Sequence, residues 1–227
     1  MTARPGSLNG FCWLDLKTGD TAAAGEFFGA VLGWGFAVDE EDWRRAVKIS
    51  AGGWRIGGVS DLSAPVYPPG TPAHLAYYLA VDEVDRRAER AVAGGARLVV
   101  EPFDAGDQGR MATLVDPFGA AVSLWQAREF TGWGFPAGGA AGLPHRMVLA
   151  CADPAGARAF YRDALGVEPR PGDVVAAPGE PGWRLEVAVD DPGAVSEAAA
   201  RSGGEVREGV LYAPEGLALR ISRAARP

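Results

Sequence analysis

The chain has 227 residues, 48% of them hydrophobic and 22% charged, with a formal net charge of −7. That length allows one large domain or two small ones, and the acidic balance argues against nucleic acid, whose phosphates are met by Lys and Arg. No run reaches the ~18 apolar residues of a membrane span. Met1–Asn9 carries no apolar signal segment, and Cys12 and Cys151 are too few for a disulfide framework, so a cytoplasmic protein is expected.

Residues 12–34 read as a short alternating strand, an Asp, an Ala-rich helix with aromatics in its second turn, and a closing Gly. Asp20 suits the helix N-cap and Gly33 its C-terminal stop. Asp39, Glu40, Glu41 and Asp42 form an acidic run expected at a solvated hairpin tip. Residues 74–96 repeat the pattern with an acidic cap and a Gly-Gly end, and a later strand stops at Asp116-Pro117-Phe118-Gly119 before AAVSLW. The aromatic segment 130–135 (FTGWGF) leads into a Gly-rich linker and is expected to pack between the halves.

The same order then recurs. Residues 145–167 match 12–34, and the interval from Asp153 to Gly166 equals that from Asp20 to Gly33. Residues 183–204 match 74–96, and Ala213-Pro214-Glu215-Gly216 is a reduced echo of the earlier Asp-Pro-Phe-Gly. The chain therefore reads as four βα units, two per half, with the second half a shortened copy. Its third unit is expected to lack its fourth strand. Boundaries are placed at 8–128 for the first domain, 129–142 for the linker and 143–224 for the second.

These motifs resemble the vicinal oxygen chelate superfamily, which includes glyoxalase I, bleomycin-resistance proteins and extradiol dioxygenases. The resemblance implies an α+β fold of tandem paired βαβββ units forming cup-shaped mixed sheets, truncated in the second half. In metal-using members, one ligand lies seven residues before the capping Asp, which here gives Trp13 and Arg146. A second lies five before the Val of the Val-Asp strand, giving Ala76 and Arg184, and a third four after the Gly of Asp-Pro-x-Gly, giving Ser123 and Arg220. The remaining ligand would fall within Arg55–Val59, which holds neither carboxylate nor histidine. None of these residues is an expected transition-metal ligand, so no metal and no cofactor is expected. A relocated site using His74 and Asp15 is the alternative; a hydrogen-bonded or solvated His74 at a strand mouth is favoured over it. His145 should point away from the face of Arg146.

Strand alternation puts Cys12, Leu14 and Leu16 on the helix side and Trp13, Asp15 and Lys17 on the cup side. His74, Ala76, Tyr78, Ser123 and Trp125 join the cup by the same rule, with Trp43 or Trp54 as further candidates. Such an aromatic cleft with a few polar groups suits a small-molecule ligand, although the same rings could simply plug the cup. Arg146, Arg184 and Arg220 either pair with Glu186 and other carboxylates or form an anion-binding patch; if the first and fourth units combine, Asp15 could face Arg184 and Arg220. Cys12 and Cys151 read as buried core thiols. The leading expectation is a metal-free binding protein, of sequestration or resistance type, for an aromatic or polyketide-like metabolite. Trp13, Tyr78 and Trp125 would stack on it, and Asp15, His74 and Ser123 would orient it. The alternative is a metal-independent isomerase, cyclase or hydrolase using Asp15 or His74 as base or acid, with a metal-dependent lyase or dioxygenase ranked below and a purely structural or accessory protein also open. Beyond the ligand no nucleic acid or membrane partner is expected, and the chain would be a monomer or homodimer.

Overall fold

The computed structural model describes residues 7–40, 45–136, 140–170 and 172–224. Its elements run β1 (Phe11–Thr18), α1 (Thr21–Leu32), β2 (Gly35–Val38), β3 (Val47–Ala51), β4 (Trp54–Asp61), β5 (His74–Ala80), α2 (Val84–Ala93), β6 (Arg97–Asp104), β7 (Gly109–Val115) and β8 (Ala121–Ala127). There follow β9 (Pro144–Cys151), α3 (Pro154–Leu165), β10 (Val174–Ala176), β11 (Gly182–Val189), α4 (Pro192–Arg201), β12 (Glu205–Arg207), β13 (Val210–Tyr212) and β14 (Ala218–Arg223). Three of the four units therefore show the order βαβββ, and the fold is mixed α+β. Strands β1–β8 form one mixed sheet ordered β2-β3-β4-β1-β5-β8-β7-β6, and β9–β14 form another ordered β10-β9-β11-β14-β13-β12.

The matched spacings arise from matched caps. Asp20 accepts a hydrogen bond from the Ala23 amide, and Asp153 accepts from Ala155 and Gly156, so both satisfy first-turn donors that have no partner within the helix. Gly33 and Gly166 both end their helices with φ of 68°, a left-handed conformation that Gly adopts without steric cost. α2 departs from this scheme. Glu83 stands at its N-cap but caps nothing, and the Val84 amide instead donates to Gln126 Oε1 at 3.0 Å.

The third unit corrects one expectation. β10 runs parallel to β9, as β4 runs parallel to β1, so the fourth-strand position is filled by a shortened strand. Among the described residues it is the β2–β3 hairpin that has no counterpart there. The fourth unit keeps all its strands and shortens β12 and β13 to three residues each.

Packing groups the chain into two compact units. One holds the described residues up to Trp13, Tyr77–Phe135 and Arg146–Arg184; the other holds Leu14–Ala76, the described part of Pro136–His145, and the chain from Leu185. In the first, α2 lies against α3. Buried Arg87 packs over Gly166 while its Nε donates to Asp82 at 2.8 Å, and Arg90 donates to the Asp163 carbonyl, so two cations meet the negative end of α3. Its interior also holds a closed polar chain. Trp183 Nε1 donates to the Tyr161 hydroxyl at 2.6 Å, and that hydroxyl donates to Asp116 Oδ2 at 2.9 Å. Asp116 Oδ1 accepts from the Phe118 and Ala120 amides, which explains the Asp of the Asp-Pro-Phe-Gly turn. In the second unit α1 lies against α4, with Phe27, Phe28, Leu14 and Leu16 buried. Full burial of such side chains stabilises by roughly 1.5–3 kcal/mol each.

Candidate ligand-binding residues

In the first unit the β1 alternation holds: Cys12 is buried and Trp13 half-buried on the other face. Trp13 meets Phe130 edge to face with centroids 4.7 Å apart, Phe130 lies 6.0 Å from Trp125, and Trp125 lies 6.2 Å from Tyr78. Three of these rings were legible from strand register. Phe130 was not, because it follows β8 in an irregular segment. That segment returns to β1, where the Trp133 amide donates to the Cys12 carbonyl at 2.8 Å. Gly132 permits the approach: it has φ of 87°, and a Cβ there would lie 2.4 Å from the Cys12 oxygen. The 130–135 segment is thus hydrogen-bonded to β1. Its Phe130 ring wedges among the aromatics, so part of this group is filled by the chain itself.

The polar groups expected beside these rings have partners. Trp125 is buried and its Nε1 donates to the Phe130 carbonyl at 2.9 Å. Ser123 is buried with its hydroxyl 2.8 Å from that of Thr113. Trp13 and Tyr78 remain half-buried. Trp54 is exposed at the start of β4, and Trp43 lies outside the described residues. Glu41 and Asp42 lie outside them too, while Asp39 and Glu40 pair with Arg55 and Arg45 at 2.9 and 2.7 Å.

The second unit holds a compact polar group. Lys17 Nζ donates to Asp15 Oδ2 at 2.8 Å and to the Tyr67 hydroxyl at 3.0 Å, and Ser60 Oγ donates to the same Asp15 oxygen at 2.7 Å. The pairing follows from β1 alternation, which puts Asp15 and Lys17 on one face, and from the parallel register that sets Ser60 beside Lys17. Only 13% of the Asp15 side chain and 15% of the Lys17 side chain are exposed. Burial alone would lower the Lys17 ammonium, but the charge and hydrogen bond of Asp15, with Tyr67, outweigh it and hold it above its ordinary value. Asp15 Oδ1 receives no hydrogen bond among the described residues, so one carboxylate oxygen is anchored and the other is open. Sequence reasoning missed Ser60 and Tyr67. A Ser on a neighbouring strand is visible only through register, and Tyr67 lies in a loop. His74 is exposed, with Nδ1 2.8 Å from the Pro72 carbonyl, and makes no hydrogen bond to Asp15.

The three arginines do not stand as one free cluster. Arg146 Nε donates to Asp173 at 2.7 Å and Arg220 Nε pairs with its register partner Glu186 at 3.4 Å. Arg184 is half-buried and makes no ion pair among the described residues. Asp15, expected to face Arg184 and Arg220 in one arrangement, pairs with Lys17.

The residues at the positions that the resemblance assigns to the superfamily's metal ligands do not fit a metal. Trp13, Ala76 and Ser123 supply no metal donor beyond one buried hydroxyl, and the guanidinium groups of Arg146, Arg184 and Arg220 have none to offer a cation. On β4, Ile56 is buried and a side chain at Gly57 would strike Leu14. No three His, Cys, Asp or Glu side chains gather into a metal site among the described residues, so Asp15 and His74 gain no third ligand. Both cysteines are buried; burial pushes the Cys12 thiol up to about 12 and raises Cys151 as well. They are core thiols.

No helix among the described residues is long and apolar enough to cross a membrane. The model of the Glyoxalase/Bleomycin resistance protein/Dioxygenase superfamily matches residues 10–124. The chain is 30% identical to "Putative glyoxylase CFP32" of Mycobacterium bovis over 94% of both chains. It is 29% identical to "Anthracycline biosynthesis protein DauV" of a Streptomyces strain, over 69% of this chain and 60% of that protein. Among solved structures, the Mn(II)-bound glyoxalase of Novosphingobium aromaticivorans is similar over 94% of this chain and 81% of its own, with a TM-score of 0.63 and 15% identity. A catechol 2,3-dioxygenase is similar over 96% and 89%, with a TM-score of 0.57 and 15% identity. These two likenesses concern the fold. The family match and the mycobacterial relative, following a fold of βαβββ units, establish that the chain belongs to the Glyoxalase/Bleomycin resistance protein/Dioxygenase superfamily.

Proposed function

We propose that this superfamily member binds an aromatic or polyketide-like small molecule without a resident transition metal. The observation that carries the reading is the group of rings formed by Trp13, Phe130, Trp125 and Tyr78, with Trp13 and Ser123 at positions that the resemblance assigns to metal ligands. Planar rings such as Trp13 and Tyr78 favour a planar partner, adding face and edge contacts to the apolar area removed from water. The anthracycline-biosynthesis name of one relative is consistent with a ligand of this class. Tryptophan-quenching titrations with planar aromatic polyketides test the proposal. Saturable binding that Trp13→Ala weakens supports it; no binding across such a panel overturns it.

A second reading, a metal-independent enzyme, is favoured by Asp15. A carboxylate with Oδ2 fixed by Lys17 and Ser60 and Oδ1 open is arranged as a general base for a proton next to a carbonyl. His74, exposed and with Nδ1 at the Pro72 carbonyl, would be a separate proton carrier at the strand mouth. Asp15→Asn separates the readings. An enzyme loses turnover and keeps its ligand, whereas a binding protein has no turnover to lose.

A further inference from the structure

The connection from β4 to β5, residues 62–73, contains Pro65, Pro68, Pro69 and Pro72. Its start is tied by the Leu62 amide to the Thr18 carbonyl. Beyond that point its backbone bonds are local: Ala64 to Asp61, Tyr67 to Ala64, and Thr71 to Pro68. Val66, Pro68, Pro69 and Gly70 are exposed. Among the described residues, one hydrogen bond reaches from 63–73 to a strand outside this connection's own ends, and it is the Tyr67 phenol on Lys17 Nζ. The ammonium also lies 4.8 Å from the Tyr67 ring centroid. The chain thus presents its own phenol to a largely buried lysine from a loop with little else to hold it there.

We propose that Lys17 is the receptor for a ligand hydroxyl, a phenol or the enol of a 1,3-dicarbonyl, and that Tyr67 occupies this place until such a ligand displaces it. The inference rests on the reading above that the chain binds an aromatic metabolite, and it names the group recognised. Lys17 carries three donors, of which Asp15 and Tyr67 take two. A hydroxyl arriving in place of Tyr67 accepts from Nζ and has the carboxylate of Asp15, with Oδ1 open, as the neighbouring acceptor for its proton. An ether in the same position can accept but cannot donate, and its methyl group has to be accommodated beside two charges. The prediction is therefore selectivity for free hydroxyl over methoxy, with Tyr67 as an internal competitor. Removing a competitor raises apparent affinity by the reciprocal of the fraction of sites it had left free, here about twofold to tenfold for one hydrogen bond.

The experiment titrates wild type and Tyr67→Phe with 1,8-dihydroxyanthraquinone and with its dimethyl ether, following tryptophan fluorescence. Tighter binding of the hydroxylated probe by wild type, and a further gain in Tyr67→Phe confined to that probe, support the inference. Equal affinity for both probes, or a gain in Tyr67→Phe shared by both, overturns it while leaving the aromatic-binding reading intact. Failure of wild type to bind either probe overturns the inference, and the aromatic-binding reading falls with it only if the wider panel also fails to bind.

Discussion

Tyr161 offers a quantitative test of the packing that supports the first unit. Its ring is fully buried, and its hydroxyl joins Trp183 Nε1 at 2.6 Å to Asp116 Oδ2 at 2.9 Å. Tyr161→Phe keeps the ring and removes only the oxygen. It leaves the Trp183 N–H without an acceptor and strips Asp116 Oδ2 of its donor, while Asp116 Oδ1 keeps its two amides. A buried polar group left without its partner costs about 1–3 kcal/mol. Two such groups give an expected destabilisation of about 2–6 kcal/mol. For a chain of this size, each kcal/mol corresponds to roughly 2–4 °C in Tm. Urea unfolding followed by tryptophan fluorescence, with differential scanning calorimetry, measures both quantities. A loss below about 0.5 kcal/mol, the ordinary effect of a surface substitution, would refute the claim that this chain of bonds is closed.

Three further outcomes follow from burial and close backbone approach. Burial raises the Asp116 carboxyl above the usual carboxylate range in spite of its hydrogen bonds, so its stabilising contribution is full below the unfolded-state pKa and declines as pH rises through the folded-state pKa. Urea midpoints for wild type and Asp116→Asn across mildly acidic to neutral pH should show the wild-type advantage shrinking as pH rises; a flat or growing advantage contradicts the assignment. Gly132→Ala sets a methyl group against the Cys12 carbonyl at a positive φ, so the 128–133 segment should lift from β1, cost about 1–3 kcal/mol, and change the tryptophan emission through Phe130. An unaltered spectrum with unaltered stability contradicts the placement of Phe130. Cys12, its thiol pushed up to about 12 by burial, should resist disulfide reagents at pH 8 in the native protein and react on unfolding. Rapid native labelling at Cys12 would contradict its burial.

What the sequence revealed and what it hid divide along the range of the interactions. Asp20 with Gly33, and Asp153 with Gly166, are caps set by residues within a few positions, and their equal spacing transferred directly into two matching helices. Strand alternation placed Trp13 and Asp15 opposite Cys12 and Leu14 because a pleat has a fixed period. Phe130 reaches Trp13 only because Gly132 lets two distant backbones touch, and no local pattern encodes that approach. Tyr67 and Asp173 lie in connections, so their bonds to Lys17 and Arg146 depend on loop conformation. The arginines at the family's ligand positions looked alike in sequence, yet Arg146 and Arg220 found carboxylates while Arg184 formed no ion pair among the described residues. The third unit misled for a similar reason: counting lost residues shows how much is missing, and only the parallel pairing of β10 with β9 shows which strand was kept.

Ligand binding without a resident metal can be measured on one sample. Protein purified without chelator is assayed for metals by mass spectrometry, then titrated with 1,8-dihydroxyanthraquinone before and after exhaustive chelation. Metal-free binding requires substoichiometric transition metal and one unchanged affinity. A stoichiometric metal whose removal abolishes binding, and whose return restores it, would rule out metal-free binding.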